Sequence, residues 1–166
     1  MTELRFDDWT ISRELWETLE KMLRPGMVTL ETGSGLSTRL FDNSGCCHTA
    51  LEHDERFATQ SRSLVRVPLV GKPPWYDWQP PAAGAGYDLI LIDGPPQASG
   101  GRMGLLRVVD RLRKPETTFV LDDTHRRAEN CLADRLAERF GLQRIDHAAA
   151  DGRSFSILTN QQGRIS

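Results

Sequence analysis

Four acidic side chains stand directly after apolar segments that have the pattern of buried strands. These residues are Glu31, Glu52, Asp93 and Asp122. In an open α/β sheet, ligands bind beyond the carboxyl ends of the strands, so the four carboxylates are expected to share one edge of a sheet. Carboxylates gathered at one edge favour a cationic ligand or a ligand rich in hydroxyl groups. The sequence therefore predicts a polar binding site there.

A glycine turn follows the first of these acids. Gly33 and Gly35 flank Ser34, and because both glycines lack a side chain, a ligand can approach the backbone closely. The helix predicted to begin near Ser37 points its free N–H groups and the positive end of its dipole at the same place. The turn can therefore hold a phosphate or a carboxylate, although glycine at a helix entry also serves packing.

The segment 30–38 resembles motif I of class I S-adenosylmethionine-dependent methyltransferases, in which an acidic residue precedes a GxG turn. An NAD-binding fingerprint would have Gly or Ala where Thr38 stands, and here an acid lies two residues before the first glycine, so NAD is disfavoured. The resemblance implies that the turn meets the methionine half of the cofactor. It also implies that Glu31 supports the ammonium group of the cofactor, directly or through water. The residues it assigns to the cofactor are Glu31, Thr32, Gly33, Ser34, Gly35, Ser37, Thr38, Glu52, His53 and Asp93.

Glu52 ends the second predicted strand, about 20 residues after the turn, where a carboxylate can accept both protons of the ribose hydroxyls. The methyltransferase resemblance implies the same role. It also places His53 near the adenine, at a position where the family usually has an apolar residue. The alternatives are that Glu52 is a solvated strand end or a cap for the next helix, and that His53 is an ordinary surface histidine.

Asp93 closes the most apolar strand, and the Gly-Pro-Pro that follows it excludes a helix in that loop. The run 89–96 resembles motif IV, which lies beside the transferred methyl group. Asp93 could orient the sulfonium, take a proton from the acceptor or ligate a metal. Family members that methylate exocyclic or amide nitrogen carry an Asn/Asp-Pro-Pro-aromatic motif, but Gly94 interrupts it here and Gln97 replaces the aromatic. An oxygen acceptor is therefore favoured over a nucleobase nitrogen.

Asp122 and Asp123 follow the fifth predicted strand. Metal-dependent O-methyltransferases of the catechol type place one acid after strand four and an acid–amide pair after strand five. Here Asp93, Asp122 and Asp123 would form an oxygen set that suits Mg²⁺. The pair lacks the amide and the loop after Asp93 differs, so we predict no functional metal and expect the pair to orient the next loop or contact the acceptor. His125 in that loop is a second candidate base, because a histidine pKa lies near working pH, although a loop histidine is often simply exposed.

Seven apolar segments alternate with helical patterns, which is typical of a Rossmann-like, doubly wound, mainly parallel α/β sheet. The Asp151-Gly152 hairpin signal between the last two strands requires an antiparallel strand near one edge. The chain is predicted to be a single domain with an N-terminal helical segment at 1–25. The predicted strands are 27–30, 47–51, 64–70, 87–92, 117–121, 142–147 and 154–158, and the main predicted helices are 11–23, 37–41, 103–112 and 128–140.

The segment 71–86 breaks this alternation. Its four prolines exclude an ordinary helix at a point where a right-handed crossover would normally carry one. Trp75, Tyr76 and Trp78 are predicted either to pack on the sheet in place of the missing helix or to wall an acceptor pocket or a partner interface. A homodimer would be one such interface.

The composition sets wider bounds. The chain has 166 residues and a formal charge of −2, which fits one domain and argues against broad nucleic-acid binding. Three cysteines, two of them adjacent, favour a reducing compartment. The acidic N-terminus does not look like a signal peptide, and no apolar run is long enough to span a bilayer. We predict a cytoplasmic methyltransferase with a small-molecule acceptor. The alternatives are a non-catalytic binding module of this fold and an NAD-dependent oxidoreductase.

Overall fold

The computed structural model describes residues 6, 9–80 and 86–160. The strands are β1 (Val28–Thr32), β2 (Cys47–Glu52), β3 (Leu64–Arg66), β4 (Leu69–Val70), β5 (Trp75–Tyr76), β6 (Tyr87–Ile92), β7 (Arg113–Leu121), β8 (Gln143–Ala148) and β9 (Ser154–Thr159). The helices are α1 (Arg13–Met22), α2 (Leu36–Asn43), α3 (Val109–Leu112) and α4 (Arg127–Phe140). Short 3₁₀ segments lie at Glu55–Phe57, Gln97–Ser99 and Arg102–Arg107. None of the helices in these ranges is long and apolar enough to cross a membrane.

Seven strands form one sheet in the order β3-β2-β1-β6-β7-β9-β8. The five strands from β3 to β7 in this order run parallel to one another. Strand β9 is antiparallel to both of its neighbours, β7 and β8. The predicted Rossmann-like sheet, with an antiparallel strand near one edge, is confirmed.

Side-chain alternation along β6 divides the core into two layers. Leu89 and Leu91 pack with the buried residues of α1 and α2 on one face of the sheet. Ile90 and Ile92 pack with α3, α4 and the segment 102–107 on the other face. Because both faces of the central strands are covered, these strands are apolar throughout, which is why the sequence pattern located them well.

The first helix also follows the prediction. Ser12 is its N-cap, accepting a hydrogen bond from the backbone N–H of Leu15 at 3.2 Å. Leu15 and Leu19 are fully buried on the face that meets the sheet. Residues 1–5 and 7–8 of the predicted N-terminal segment lie outside the described residues.

The prediction of a single strand over 64–70 is wrong. Proline has no N–H to donate, and at Pro68 the chain leaves the main sheet. Strand β4 instead pairs with β5 in a separate two-stranded ribbon. The ribbon inserts Trp75, 2% exposed, into the core face that a crossover helix would otherwise cover. Residues 81–85 of the predicted 71–86 loop lie outside the described part.

The predicted helix over 103–112 is also wrong in its first half, which is the 3₁₀ segment 102–107 followed by the short α3. This segment packs tightly against the ribbon. A Cβ added at Gly104 would collide with the carbonyl group of Pro74 and lie 2.9 Å from the Cβ of Trp75. This close packing positions Arg102, the first residue of the segment, beside the strand ends.

Candidate functional site

A cleft opens at the carboxyl ends of the central strands. This is the edge of the sheet at which the sequence analysis expected the acidic side chains to gather. Two groups of sequence-predicted residues line it, one from the glycine turn and one from the acids and their neighbours. These residues are Gly33, Ser34, Glu52, His53, Asp93 and Asp122. These residues are far apart in the chain, but they meet here because their strands run parallel and lie side by side in the sheet.

The glycine turn joins the end of β1 to the start of α2. Gly33 has φ of +83°, a conformation that glycine adopts without strain. A Cβ there would lie 3.4 Å from the backbone nitrogen of Gly94, whereas a Cβ at Gly35 would meet no atom within 4 Å. The hydroxyl of Thr32 donates to the carbonyl of Gly94 at 2.9 Å and ties the two turns together. The backbone beside Gly35 is thus open to a ligand.

Glu31 lies beneath this turn and does not line the cleft. Its fully buried carboxylate accepts hydrogen bonds from the hydroxyls of Ser37 and Thr38, and it lies 3.4 Å from Nε2 of His48. Thr38 also accepts a hydrogen bond from the N–H of Gly35 at 3.0 Å. These contacts fasten the start of α2 to β1. The predicted contacts of Glu31, Ser37 and Thr38 with a cofactor stay predictions.

Glu52 lines the cleft and also braces the glycine turn. Its Oε2 accepts a hydrogen bond from the N–H of Ser34 at 3.0 Å, while Oε1 accepts from the N–H groups of His53 and Asp54 at 2.7 and 2.8 Å. Nε2 of His53 lies 3.1 Å from the hydroxyl of Ser99. A carboxylate with fixed orientation therefore faces the cleft beside the turn.

The opposite end of the cleft is acidic. One carboxylate oxygen from each of Asp93, Asp122 and Asp123 lies within 4.8 Å of the others. Burial and the charge of Asp122 raise the pKa of Asp93 to about 8, although Arg102 opposes the shift. Burial and Asp123 raise the pKa of Asp122 to about 6, again against Arg102. A carboxyl whose pKa lies near neutral pH can exchange a proton with a bound molecule.

Arg102 is the main site residue that the sequence analysis missed. Its side chain is 3% exposed, and its Nη2 lies 2.8 Å from Oδ2 of Asp123 and 3.3 Å from Oδ1 of Asp93. Its Nη1 donates to the carbonyl oxygen of Asp122 at 2.6 Å. Arg102 belongs to no motif and lies just before the predicted helix, so only the packing of Gly104 brings it here.

The loop after β7 contains a strained residue and the second candidate base. Asp123 has φ of +61°, which is uncommon outside glycine and often marks a functional site. Its Oδ2 pairs with Nη1 of Arg126 at 2.9 Å, which holds the start of the loop in place. His125 is exposed, lies outside the cleft lining and accepts a hydrogen bond from the N–H of Ser154 at 3.4 Å. Its role as a base stays a prediction.

Aromatic side chains form part of the cleft wall and its mouth. Tyr76 is 2% exposed, its ring meets His53 edge-on at 5.9 Å, and its hydroxyl has no hydrogen-bond partner among the described residues. Burial and the charge of Glu52 raise the pKa of this hydroxyl well above its usual value. At the mouth, Trp9 stacks on Phe57 at 5.3 Å and is 73% exposed. The cleft can therefore receive a ligand that combines an aromatic ring with polar groups.

Trp75 and Tyr76 both belong to the core that packs on the sheet, and Tyr76 also lines the cleft. The role of this segment in an acceptor pocket or a partner interface stays a prediction. Trp75 fills the core in place of a helix, while its neighbour Tyr76 lines the cleft. Trp78 packs against the same core and donates its indole N–H to the hydroxyl of Tyr87 at 3.1 Å. Alternation of side chains along β5 sends adjacent residues to different surroundings.

Comparison with known proteins identifies the fold. No protein-family model matches the sequence, and no curated protein matches it. Among solved structures, the chain is similar to precorrin-6y C5,15-methyltransferase from Geobacter metallireducens GS-15, with a TM-score of 0.61, 17% identity, and coverage of 95% of this chain and 93% of that one. The C-terminal domain of the Rhodobacter capsulatus precorrin-6Y C5,15-methyltransferase gives 0.60 and 15%, covering 93% and 91% of the two chains.

Human methyltransferase-like protein 13, solved in complex with SAH, gives a TM-score of 0.59 at 18% identity, and the match covers 91% of this chain and 84% of that one. These similarities extend over nearly the whole chain. The chain has the fold of class I S-adenosylmethionine-dependent methyltransferases.

Proposed function

We propose that the protein is a methyltransferase that uses S-adenosylmethionine and methylates an oxygen of a small molecule. The observation that carries this proposal is the meeting of the glycine turn, Glu52 and Asp93 in one cleft at the carboxyl edge of the sheet. The fold and the S-adenosylhomocysteine bound by a structural neighbour support the choice of cofactor.

The cleft offers separate places for the parts of the cofactor. The backbone of the turn from Gly33 to Gly35 would hold its amino acid group, because the turn is open at Gly35 and lies at the N-terminus of α2. Glu52 would accept hydrogen bonds from the two ribose hydroxyls. His53, the next residue in the chain, would lie beside the adenine. Tyr76 lines the same cleft beside His53.

The acidic end then receives the acceptor. The bound cofactor supplies an electrophilic methyl group on a sulfonium sulfur. An acceptor hydroxyl would form a carbon–oxygen bond to this methyl group as the carbon–sulfur bond breaks with its electron pair on sulfur, and a base would take the hydroxyl proton. Asp93 is the proposed base, because its carboxyl faces the cleft and its pKa of about 8 lies near working pH. Holding the reactants in line supplies much of the rate enhancement.

Several further assignments belong to this proposal. The net charge of −2 argues against a nucleic acid as the acceptor, because nucleic-acid binding usually needs a broad basic face. The three cysteines are unpaired, in keeping with a reducing, cytoplasmic compartment. A homodimer through the aromatic segment stays a prediction.

Calorimetry of the purified protein with S-adenosylmethionine, S-adenosylhomocysteine and NAD tests the proposal. We expect one molecule of either sulfur compound to bind per chain, and each to raise the melting temperature by several degrees at saturation. NAD should do neither. Transfer of a tritiated methyl group to a panel of hydroxyl compounds then separates an enzyme from a binding module. Binding of NAD in place of both sulfur compounds would disprove the proposal.

A further inference from the structure

The acidic end of the cleft has the donor set of a divalent-cation site. Asp93, Asp122 and Asp123 each offer one carboxylate oxygen, and the three oxygens lie within 4.8 Å of one another. Oxygen-only sets of this kind suit Mg²⁺ and Mn²⁺. A metal ion fits the set only if no other cation fills its centre.

The guanidinium of Arg102 pairs with two of these three carboxylates and with the backbone carbonyl of the third residue. Its Nη2 lies 2.8 Å from Oδ2 of Asp123 and 3.3 Å from Oδ1 of Asp93, and its Nη1 lies 2.6 and 3.3 Å from the carbonyl oxygens of Asp122 and Ile92. The planar fork of donors matches these carboxylate and carbonyl acceptors. A divalent ion at the same place would have to displace a buried cation or lie against it, and both are unfavourable.

The backbone holds Arg102 in this position. Gly100 and Gly101, directly before it, have φ of +102° and +72°. Gly104 packs against the carbonyl of Pro74 so closely that no side chain fits. The 3₁₀ segment is thus pressed onto the ribbon, and its first side chain enters between the ends of β6 and β7. The guanidinium is part of the folded core and not a surface arginine that happens to reach inward.

Arg102 stays positively charged in the folded protein. Burial lowers its pKa, but the carboxylates of Asp93 and Asp123 outweigh burial and raise it above its usual value. Glu129 adds a further carboxylate 4.0 Å from Nε of Arg102. The cation therefore stays in place over the whole pH range in which the protein could work.

We propose that Arg102 is the resident cation of the acidic cluster, occupying the place of a divalent metal, excluding Mg²⁺ and Mn²⁺, and orienting Asp93 and Asp123 toward the acceptor. Metal exclusion stands on the geometry of the cluster, and the orienting of an acceptor site rests on the proposed function. Arg102 is in this sense a positioning residue. A fixed guanidinium makes the acceptor end independent of metal supply, and it neutralises carboxylates that would otherwise repel one another.

Titration of the full-length protein with Mn²⁺ tests this proposal, with free Mn²⁺ followed by electron paramagnetic resonance. Wild-type protein should bind no stoichiometric Mn²⁺. Arg102→Met removes the cation while keeping an unbranched side chain, and it should bind one Mn²⁺ per chain at least tenfold more tightly than wild type. Arg102→Lys keeps a positive charge and should exclude the ion. Arg126→Gln is the matched control, because Arg126 also pairs with Asp123 but lies half-exposed at the rim, and it should behave like wild type.

Two results would overturn the proposal. One is stoichiometric Mn²⁺ binding by wild type that is lost in Asp123→Asn, since the metal would then displace Arg102. The other is a folded Arg102→Met variant that binds no Mn²⁺. If this variant is unfolded alone, Mn²⁺ should restore its circular dichroism spectrum where NaCl of equal ionic strength does not, and failure to do so also counts against the proposal. None of these measurements uses S-adenosylmethionine. A negative result would therefore refute metal exclusion by Arg102 without bearing on the proposed methyltransferase function.

Discussion

Replacing Glu52 by Gln tests the assignment of the cofactor half of the cleft. The change preserves the size of the side chain and removes its charge. In the folded protein Glu52 already accepts three backbone hydrogen bonds, two at Oε1 and one at Oε2. A Gln amide can keep its oxygen toward the N–H groups of His53 and Asp54, but its NH₂ group then points at the N–H of Ser34. The variant therefore loses one internal hydrogen bond, and it also loses the charged acceptor proposed for the ribose hydroxyls.

The expected loss of affinity follows from the hydrogen bonds that a ribose would make. A hydrogen bond to a charged group contributes about 1.5–3 kcal/mol and a neutral one about 0.5–1.5 kcal/mol, so each ribose bond weakens by about 1 kcal/mol. Two bonds give about 2 kcal/mol, which is roughly a 30-fold rise in Kd for S-adenosylhomocysteine. The bond lost at Ser34 should lower the free energy of unfolding by about 1–3 kcal/mol.

Isothermal titration calorimetry measures the Kd, and urea unfolding measures stability on the same preparations. Glu31→Gln is the matched control, because Glu31 is an equally buried acid at the end of the adjacent strand but does not line the cleft. It should change the Kd less than about threefold. An unchanged Kd in folded Glu52→Gln would refute the ribose assignment. A large loss in Glu31→Gln instead would show that the first acid contacts the cofactor, as the methyltransferase resemblance implies.

Three further predictions concern the turn, the core and the acidic end. Gly33→Ala should lower the free energy of unfolding by about 1–2 kcal/mol in urea, because φ is +83°, whereas Gly35→Ala should mainly abolish binding of S-adenosylhomocysteine by calorimetry. Trp75→Ala should lower the free energy of unfolding by about 3–5 kcal/mol, because it leaves a cavity in the core that replaces the crossover helix. The melting temperature of Asp93→Asn, measured relative to that of wild type, should increase as the pH rises from 5 to 9. The pKa of Asp93 is raised from 3.8 to about 8 on folding, so its contribution to stability is fully present below pH 3.8 and is lost as the pH rises through 8.

Each of these has a result that would contradict it. Equal stability losses in Gly33→Ala and Gly35→Ala would show that backbone strain does not distinguish the two positions. Trp9→Ala, on an exposed residue, should cost less than about 1 kcal/mol, and a loss as large as that of Trp75→Ala would refute the assigned core role. For Asp93→Asn, a melting-temperature difference that is flat between pH 5 and 9 would show that the carboxyl does not carry a raised pKa.

Much of the fold could be read from local pattern. Strand β6 was predicted with its observed bounds, because a strand covered on both faces is apolar at every position. The acids at strand ends also predicted the edge where the cleft lies, since parallel neighbouring strands bring their carboxyl ends together. The split of the third strand was missed, because the effect of Pro68 depends on which neighbour the next residues find.

The sequence by itself determined the sheet, the glycine turn and the edge of the sheet that carries Glu52 and Asp93, because these depend on periodicity and on the order of elements along the chain. Only the tertiary structure decided that Glu31 lies beneath the turn, bonded to Ser37 and Thr38, and that Arg102 pairs with Asp93 and Asp123 in the acidic cluster. Both outcomes depend on contacts between side chains and backbone far apart in sequence, set by close packing such as that at Gly104. No local spacing encodes such contacts, so the positive charge within the acidic cluster becomes visible only in the folded chain.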